Sequence, residues 1–162
     1  MSNLAQLIGP SITLLGGAMA ALLPGIGSAI GVGRAGEVAA GIMTEDPAKF
    51  SKLLILQALP GTQGIYGLLS WFMVMNSSGL LTGNINISWQ TGVLFFMACM
   101  PIAWVGLFSA IAQGRTSEAC MALIAKQPDE LSKAIVMPAM VETYAILALL
   151  ASILSILSIN VI

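Results

Sequence analysis

One carboxylate sits where a carboxylate is costly. Glu142 lies in the run Pro138-Ala139-Met140-Val141-Glu142-Thr143-Tyr144, inside an apolar stretch from Ala134 to Ile159 that carries no other charge. A charge buried within roughly 20 apolar residues is expensive in a bilayer and marks a functional site. A second polar group lies upstream, in Leu59-Pro60-Gly61-Thr62-Gln63-Gly64-Ile65-Tyr66. Leu59, Thr62, Gln63 and Tyr66 follow i, i+3, i+4, i+7 spacing and share one helical face. Pro60 removes a helical hydrogen bond and kinks the chain there. In a membrane, a carbonyl freed in this way must be satisfied by something else. That face therefore offers a backbone carbonyl, a hydroxyl, an amide and a phenol, and Gln113 adds a second amide from a third stretch.

Oxygen donors of this kind suit a hard cation such as sodium, with Glu142 supplying the negative charge. A proton would also neutralise the carboxylate, but a proton site needs little more than the carboxylate itself. Two glutamines and a threonine are surplus for a proton and useful for sodium. Each group also has a plainer reading. A transmembrane threonine commonly bonds its own backbone, a lone glutamine can be interhelical glue, and Tyr66 alone suits an interface anchor. Their conjunction with Glu142 is more specific than any member. Glu37 and Glu118 lie one turn from Arg34 and Arg115 and read as solvated or paired structural charges.

The elements that position these groups follow from composition. Of 162 residues, 57% are hydrophobic and 8% charged, with a mean hydropathy of +0.94. A soluble domain carries about 25% charged residues, so the chain reads as an all-α membrane protein. Four stretches are long enough to span a bilayer: Ser11–Gly33, Leu53–Asn76, Gln90–Gly114 and Ala134–Ile159. Lipid requires helices or closed barrels, and segments this long and apolar are helices. The first and third are expected to continue beyond the membrane, because Arg34–Met43 and Arg115–Lys126 contain no strong breaker. The run Met1–Gln6 lacks the basic region of a signal peptide, so the first stretch reads as a retained transmembrane helix.

A net charge of −1 gives no reason to expect a nucleic-acid partner. The chain has no histidine, which removes the commonest general base and metal ligand. Cys99 and Cys120 form no CxxC pair and read as small packing residues. The six basic residues are Arg34, Lys49, Lys52, Arg115, Lys126 and Lys133. All lie around the connections after the first and third stretches, whereas Asn76 to Gln90 has no charge. The positive-inside rule places those two loops in the cytoplasm and both termini outside.

The two halves repeat at an offset of 81 positions, as from Gly33-Arg34 to Gly114-Arg115. At that offset Glu37 matches Glu118, Pro47 matches Pro128, Ser51-Lys52 matches Ser132-Lys133, and Thr62 matches Thr143. The unit is a helical hairpin present twice in parallel, giving residues 1–80 and 81–162. The position matching Glu142 is Gly61, so one chain carries one charge-handling site. In the first stretch Gly17, Ala21, Gly25, Ala29 and Gly33 recur every four positions. Their counterparts Ala98, Gly106, Ala110 and Gly114 are also small, with Ile102 the exception. Such spacing lets helix backbones approach closely. It fits a tight helix pair within one chain and equally an inner layer of helices around an oligomer axis.

At these residues the chain resembles the duplicated proteolipid, the K or c subunit, of prokaryotic V-type (A/V-type) rotary ATPases. The resemblance covers essentially the whole chain. Leu-Pro-Gly-Thr-Gln-Gly-x-Tyr (Leu59 to Tyr66), Gln-Gly-Arg (Gln113 to Arg115) and Pro-Ala-Met-Val-Glu-Thr (Pro138 to Thr143) are most similar to the sodium-translocating branch. It implies a Na+ site built from Leu59, Thr62, Gln63, Gln113 and Glu142, with Tyr66 bonding the Glu142 carboxylate. It also implies a homo-oligomeric rotor ring of about ten copies in the cell membrane. A membrane stator with an arginine, and the central-stalk subunits, would be its partners. ATP hydrolysis would belong to other subunits, since the sequence has no phosphate-binding loop or catalytic cluster. A proton-translocating ring is the nearest alternative. A small proton-coupled secondary transporter fits less well, because few aromatic or charged residues exist to line a substrate cavity. A structural membrane scaffold leaves Glu142 without a role.

Overall fold

The computed structural model describes residues 3–83 and 85–159. The leader reading at Met1 and Ser2, and Asn84 of the central connection, lie outside the described residues.

Among the described residues, five α-helices form two hairpins: α1 Asn3–Glu45, α2 Phe50–Ala58, α3 Thr62–Ser77, α4 Trp89–Lys126 and α5 Leu131–Leu157. α1 and α4 run far past the apolar stretches, as the absence of breakers in Arg34–Met43 and Arg115–Lys126 led one to expect. Both stop at a residue before proline, where the helical region is sterically disfavoured. Asp46 leaves the helix at φ −142°, ψ 89° and Gln127 at φ −135°, ψ 77°. The Asp46 carboxylate then accepts from the Ala48 amide at 3.1 Å. The two proline loops are tied together. Lys49 Nζ donates to Ala125 O at 2.7 Å and Lys52 Nζ to Pro128 O at 2.8 Å. The Lys49 ammonium thus caps a carbonyl at the negative end of α4, and Lys52 holds the turn that follows it. At the opposite end Gly79 (φ 77°) and Gly83 (φ 82°) take the left-handed conformation that turns the chain. Ser88 then caps α4 by accepting from the Thr91 amide at 3.1 Å.

The second apolar stretch is not one α-helix. A 3-10 turn at Leu59–Gly61 separates α2 from α3. The cause is local: Pro60 has no amide to donate, and the Thr62 amide bonds Leu59 O instead. Ala58, Leu59, Gly61 and Thr62 all keep right-handed helical dihedrals, so the chain continues forward. Among the described residues only three helices are individually long and apolar enough to cross a membrane: Gln6–Glu45, Trp89–Lys126 and Pro128–Leu157. The fourth crossing is the composite α2–α3. Pro138 lies within unbroken α5.

α1 lies along α4, with α3 packed on α1 and α5 on α4. The α1–α4 pair is close enough to demand glycine. A Cβ on Gly27 would stand 2.5 Å from Leu107 O, and one on Gly31 would stand 2.6 Å from Ala110 O. This close pair does not use the whole stripe spaced by four. Gly17 packs on Met75 and Trp71 of α3, Ala29 is exposed, and a Cβ added to Gly25 or Gly33 would meet nothing within 4 Å. The reading as a tight helix pair within one chain therefore holds, through Gly27 and Gly31 rather than through the stripe itself. Large apolar side chains on α5, including Val136, Met140, Leu147, Leu150 and Leu154, are exposed. A soluble monomer rarely leaves such a face uncovered.

Candidate functional site

The site forms where α3, α4 and α5 meet. Glu142, on the fourth helical turn of α5, is half-buried. Its Oε1 accepts from the Tyr66 hydroxyl at 2.5 Å, and its Oε2 accepts from Gln113 Nε2 at 3.3 Å. Gln113 is fully buried and its Oε1 accepts from Gln63 Nε2 at 2.5 Å. Gln63, also fully buried, reaches Ser109 Oγ at 3.3 Å. Three helices are thus linked through one polar chain: Tyr66, Glu142, Gln113, Gln63.

Leu59 and Thr62 join this chain at one remove. Thr62 Oγ1 donates to Leu59 O at 3.0 Å and lies 3.3 Å from Gln63 Oε1. The 3-10 turn makes this possible. It shifts the Thr62 amide onto Leu59 O and sets the hydroxyl against the same carbonyl. The plainer reading of Thr62, a hydroxyl bonded to its own backbone, therefore holds alongside its contact with Gln63. All six residues singled out in the sequence come together, although Leu59 and Thr62 do not touch Glu142.

Two serines were not anticipated. Ser109 accepts from Gln63 and donates to Val141 O at 3.2 Å, so it bridges the amide network to the residue before Glu142. Its position one turn before Gln113 on the same face is a signal that was present in the sequence. Ser28 of α1 accepts from the Gly64 amide at 2.9 Å, securing the backbone beside the 3-10 turn. That contact depends on tertiary packing alone.

Among the described residues there is no cluster of three His, Cys, Asp or Glu side chains. What the site holds is one carboxylate, two amides, two hydroxyls, a phenol and helix carbonyls. Either end of each amide can face the carboxylate: its amine donates to it, and its oxygen joins it around a cation. At the far ends of α1 and α4, Arg34 Nε pairs with Glu118 Oε1 at 3.0 Å. The expectation of paired structural charges holds for these two residues.

The sequence matches the family of ATP synthase C subunits twice, over residues 15–74 and 96–155. The chain belongs to the ATP synthase C-subunit family. Among its relatives is the V-type sodium ATPase subunit K of Enterococcus hirae. The two are 45% identical over 150 residues, covering 93% of each chain. The A-type ATP synthase subunit K of Methanocaldococcus jannaschii is 36% identical over 140 residues, covering 86% of this chain and 59% of that protein. Members of the C-subunit family are membrane components of rotary ATPases that move ions and do not catalyse hydrolysis. They work in an oligomeric ring with other ATPase subunits.

Proposed function

We propose that this chain is the rotor-ring subunit of a V-type ATPase that carries Na+ across the cell membrane. The observation that carries the reading is the Tyr66–Glu142–Gln113–Gln63 network, in a chain 45% identical to a sodium ATPase subunit K. Glu142, Gln113, Gln63, Thr62 and the Leu59 carbonyl hold the ion. Tyr66 holds the carboxylate in place. The organisation is two hairpins, residues 1–80 and 81–162, of which only the second retains a carboxylate. Both termini lie outside and the proline loops lie in the cytoplasm.

Charge couples ion movement to rotation. With sodium bound, Glu142 is neutralised and its site can face lipid. An ionised, empty Glu142 cannot enter lipid cheaply. It must wait opposite the stator's arginine until an ion arrives. ATP hydrolysis in other subunits then turns the ring of about ten copies by moving loaded sites away from the stator.

Carbodiimide labelling of the purified oligomer, across pH and with or without sodium, tests the reading. Labelling at Glu142 that sodium blocks and potassium does not is the expected result. Labelling that follows pH and ignores sodium makes the ring proton-coupled. No labelling of Glu142 at any pH removes Glu142 from the mechanism.

A further inference from the structure

The repeat offers a way to read the contact between copies from the contact within one. Inside the chain, α1 of the first hairpin meets α4 of the second. Gly16 faces Phe96, Gly27 faces Leu107, Gly31 faces Ala110, and Arg34 pairs with Glu118 at 3.0 Å. Were neighbouring copies to pack as the two hairpins of one chain do, α4 of one copy would meet α1 of the next in the same sense. Advancing each contact by the repeat offset of 81 then gives Met97 on Leu15, Phe108 on Ile26, Ala112 on Ala29, and Arg115 on Glu37.

Each of these residues is exposed in a single chain, although Phe108 stacks on Trp104 of its own helix. Met97 is 59% exposed, Phe108 62%, Leu15 54% and Ile26 50%, while Ala112 and Ala29 are also exposed. Arg115 and Glu37 are both exposed and, among the described residues, neither makes an ion pair. Their counterparts Arg34 and Glu118 are already paired with each other. Of the charged residues around the proline loops, only Glu37, Glu45, Arg115 and Lys126 make no ion pair among the described residues, and Glu37 and Arg115 each lie one turn from a member of the Arg34–Glu118 pair.

We infer that the interface between copies joins α4 of one chain to α1 of the next, closed at the cytoplasmic end by Arg115 pairing with Glu37 of the neighbouring copy. This inference rests on the ring reading above. It goes further by fixing the face, the register and the charge pair. A head-to-tail contact of this kind closes into a ring when its rotation allows. The two junctions are alike in charge and unlike in packing. Where the chain's own α1–α4 junction has Gly16 and Gly27, the junction between copies has Met97 and Phe108. Inner helices are thus closely spaced within a copy and more widely spaced between copies. Near the charge pair Ala112, Ala29 and Gly33 keep the side chains small, so Arg115 can reach across. An exposed ion pair contributes little stability, so its part is to set register.

Cysteine cross-linking in the intact ring is the test. In a Cys99→Ser, Cys120→Ala background, Glu37→Cys with Arg115→Cys is oxidised in membranes and run under denaturing conditions. A ladder in multiples of 16.8 kDa is expected. Each single variant should stop at a dimer or remain monomeric. The control, Arg34→Cys with Glu118→Cys, should cross-link within the chain and give no ladder. A ladder-free Glu37→Cys, Arg115→Cys protein that still runs as a ring on native gels overturns the register and leaves the ring standing. A wild-type chain that is monomeric in mild detergent overturns both. Should the cysteine pair fail to assemble, charge reversal decides. Arg115→Glu and Glu37→Arg should each lower the temperature at which the ring dissociates, and the double reversal should restore it. Failure of the double reversal to restore it overturns the pairing.

Discussion

The two hairpins share a plan, and only the second carries a carboxylate within its long apolar run. The polar site takes Thr62, Gln63 and Tyr66 from α3 of the first hairpin, and Ser109, Gln113 and Glu142 from the second hairpin. Shifted by the repeat, the same positions hold Thr143, Tyr144, Leu147, Ser28, Val32 and Gly61. The hydroxyls survive, while the carboxylate, both amides and the phenol are gone. Thr143 simply bonds Met140 O at 2.7 Å. The loss is coordinated, which fits the cost of each member alone. A buried glutamine without its carboxylate partner leaves a polar group unsatisfied, at about 1–3 kcal/mol. Backbone shape diverges as well. Pro60 breaks the first outer helix at the level of the site, while Pro138 leaves α5 continuous.

The largest effect should come from making the second hairpin resemble the first at its charge. Glu142→Gln is expected to reduce sodium transport by reconstituted complexes to background, with the ring still intact on native gels. Transport at wild-type rates would break the contrast between the repeats. Gln113→Val copies Val32 into the site. It should weaken sodium protection against carbodiimide by about 10–100-fold, the usual loss when a group supporting a metal-binding carboxylate is removed. Third come the two faces of α1. Gly31→Ala places a Cβ 2.6 Å from Ala110 O and should cost about 1–3 kcal/mol in thermal unfolding, the usual range for overpacking. Gly25→Ala meets nothing within 4 Å of its Cβ in the chain and should change the unfolding of the detergent-dissociated chain by less than about 0.5 kcal/mol. The smallest effect is expected from Gly61→Glu. Restoring the lost carboxylate without its amides and phenol should create no second sodium-protected carbodiimide site. Two protected sites per chain would show that the carboxylate alone defines the site.

Much of this was legible from sequence because lipid is an unforgiving solvent. The hydrocarbon permits few backbones, so long apolar runs had to be helices. It penalises charge, so Glu142 stood out. The duplication was visible in scarce residues such as Arg34, Glu37, Pro47 and Lys52. The spacing of Leu59, Thr62, Gln63 and Tyr66 put one polar face together before any contact was known. Ser109 was visible too, one turn from Gln113, but a serine in an apolar helix commonly bonds its own backbone and so drew no notice.

Other features belonged to tertiary structure. The regular stripe Gly17, Ala21, Gly25, Ala29, Gly33 is the obvious pattern in α1, yet the α1–α4 pair closes through Gly16, Gly27 and Gly31. Spacing shows that backbones can approach; it does not say which face meets which neighbour. The order within the polar chain was equally out of reach. Tyr66 and Gln113 bond Glu142 directly, whereas Thr62 bonds Leu59 O and Gln63. That order depends on how far the 3-10 turn at Pro60 rotates one helix end relative to α4 and α5. The sequence by itself determined the helices, the duplication and the single carboxylate, because those follow from solvent and composition. Tertiary structure alone decided the faces and the hydrogen-bond partners, because these depend on rotations about helix axes that no local pattern records.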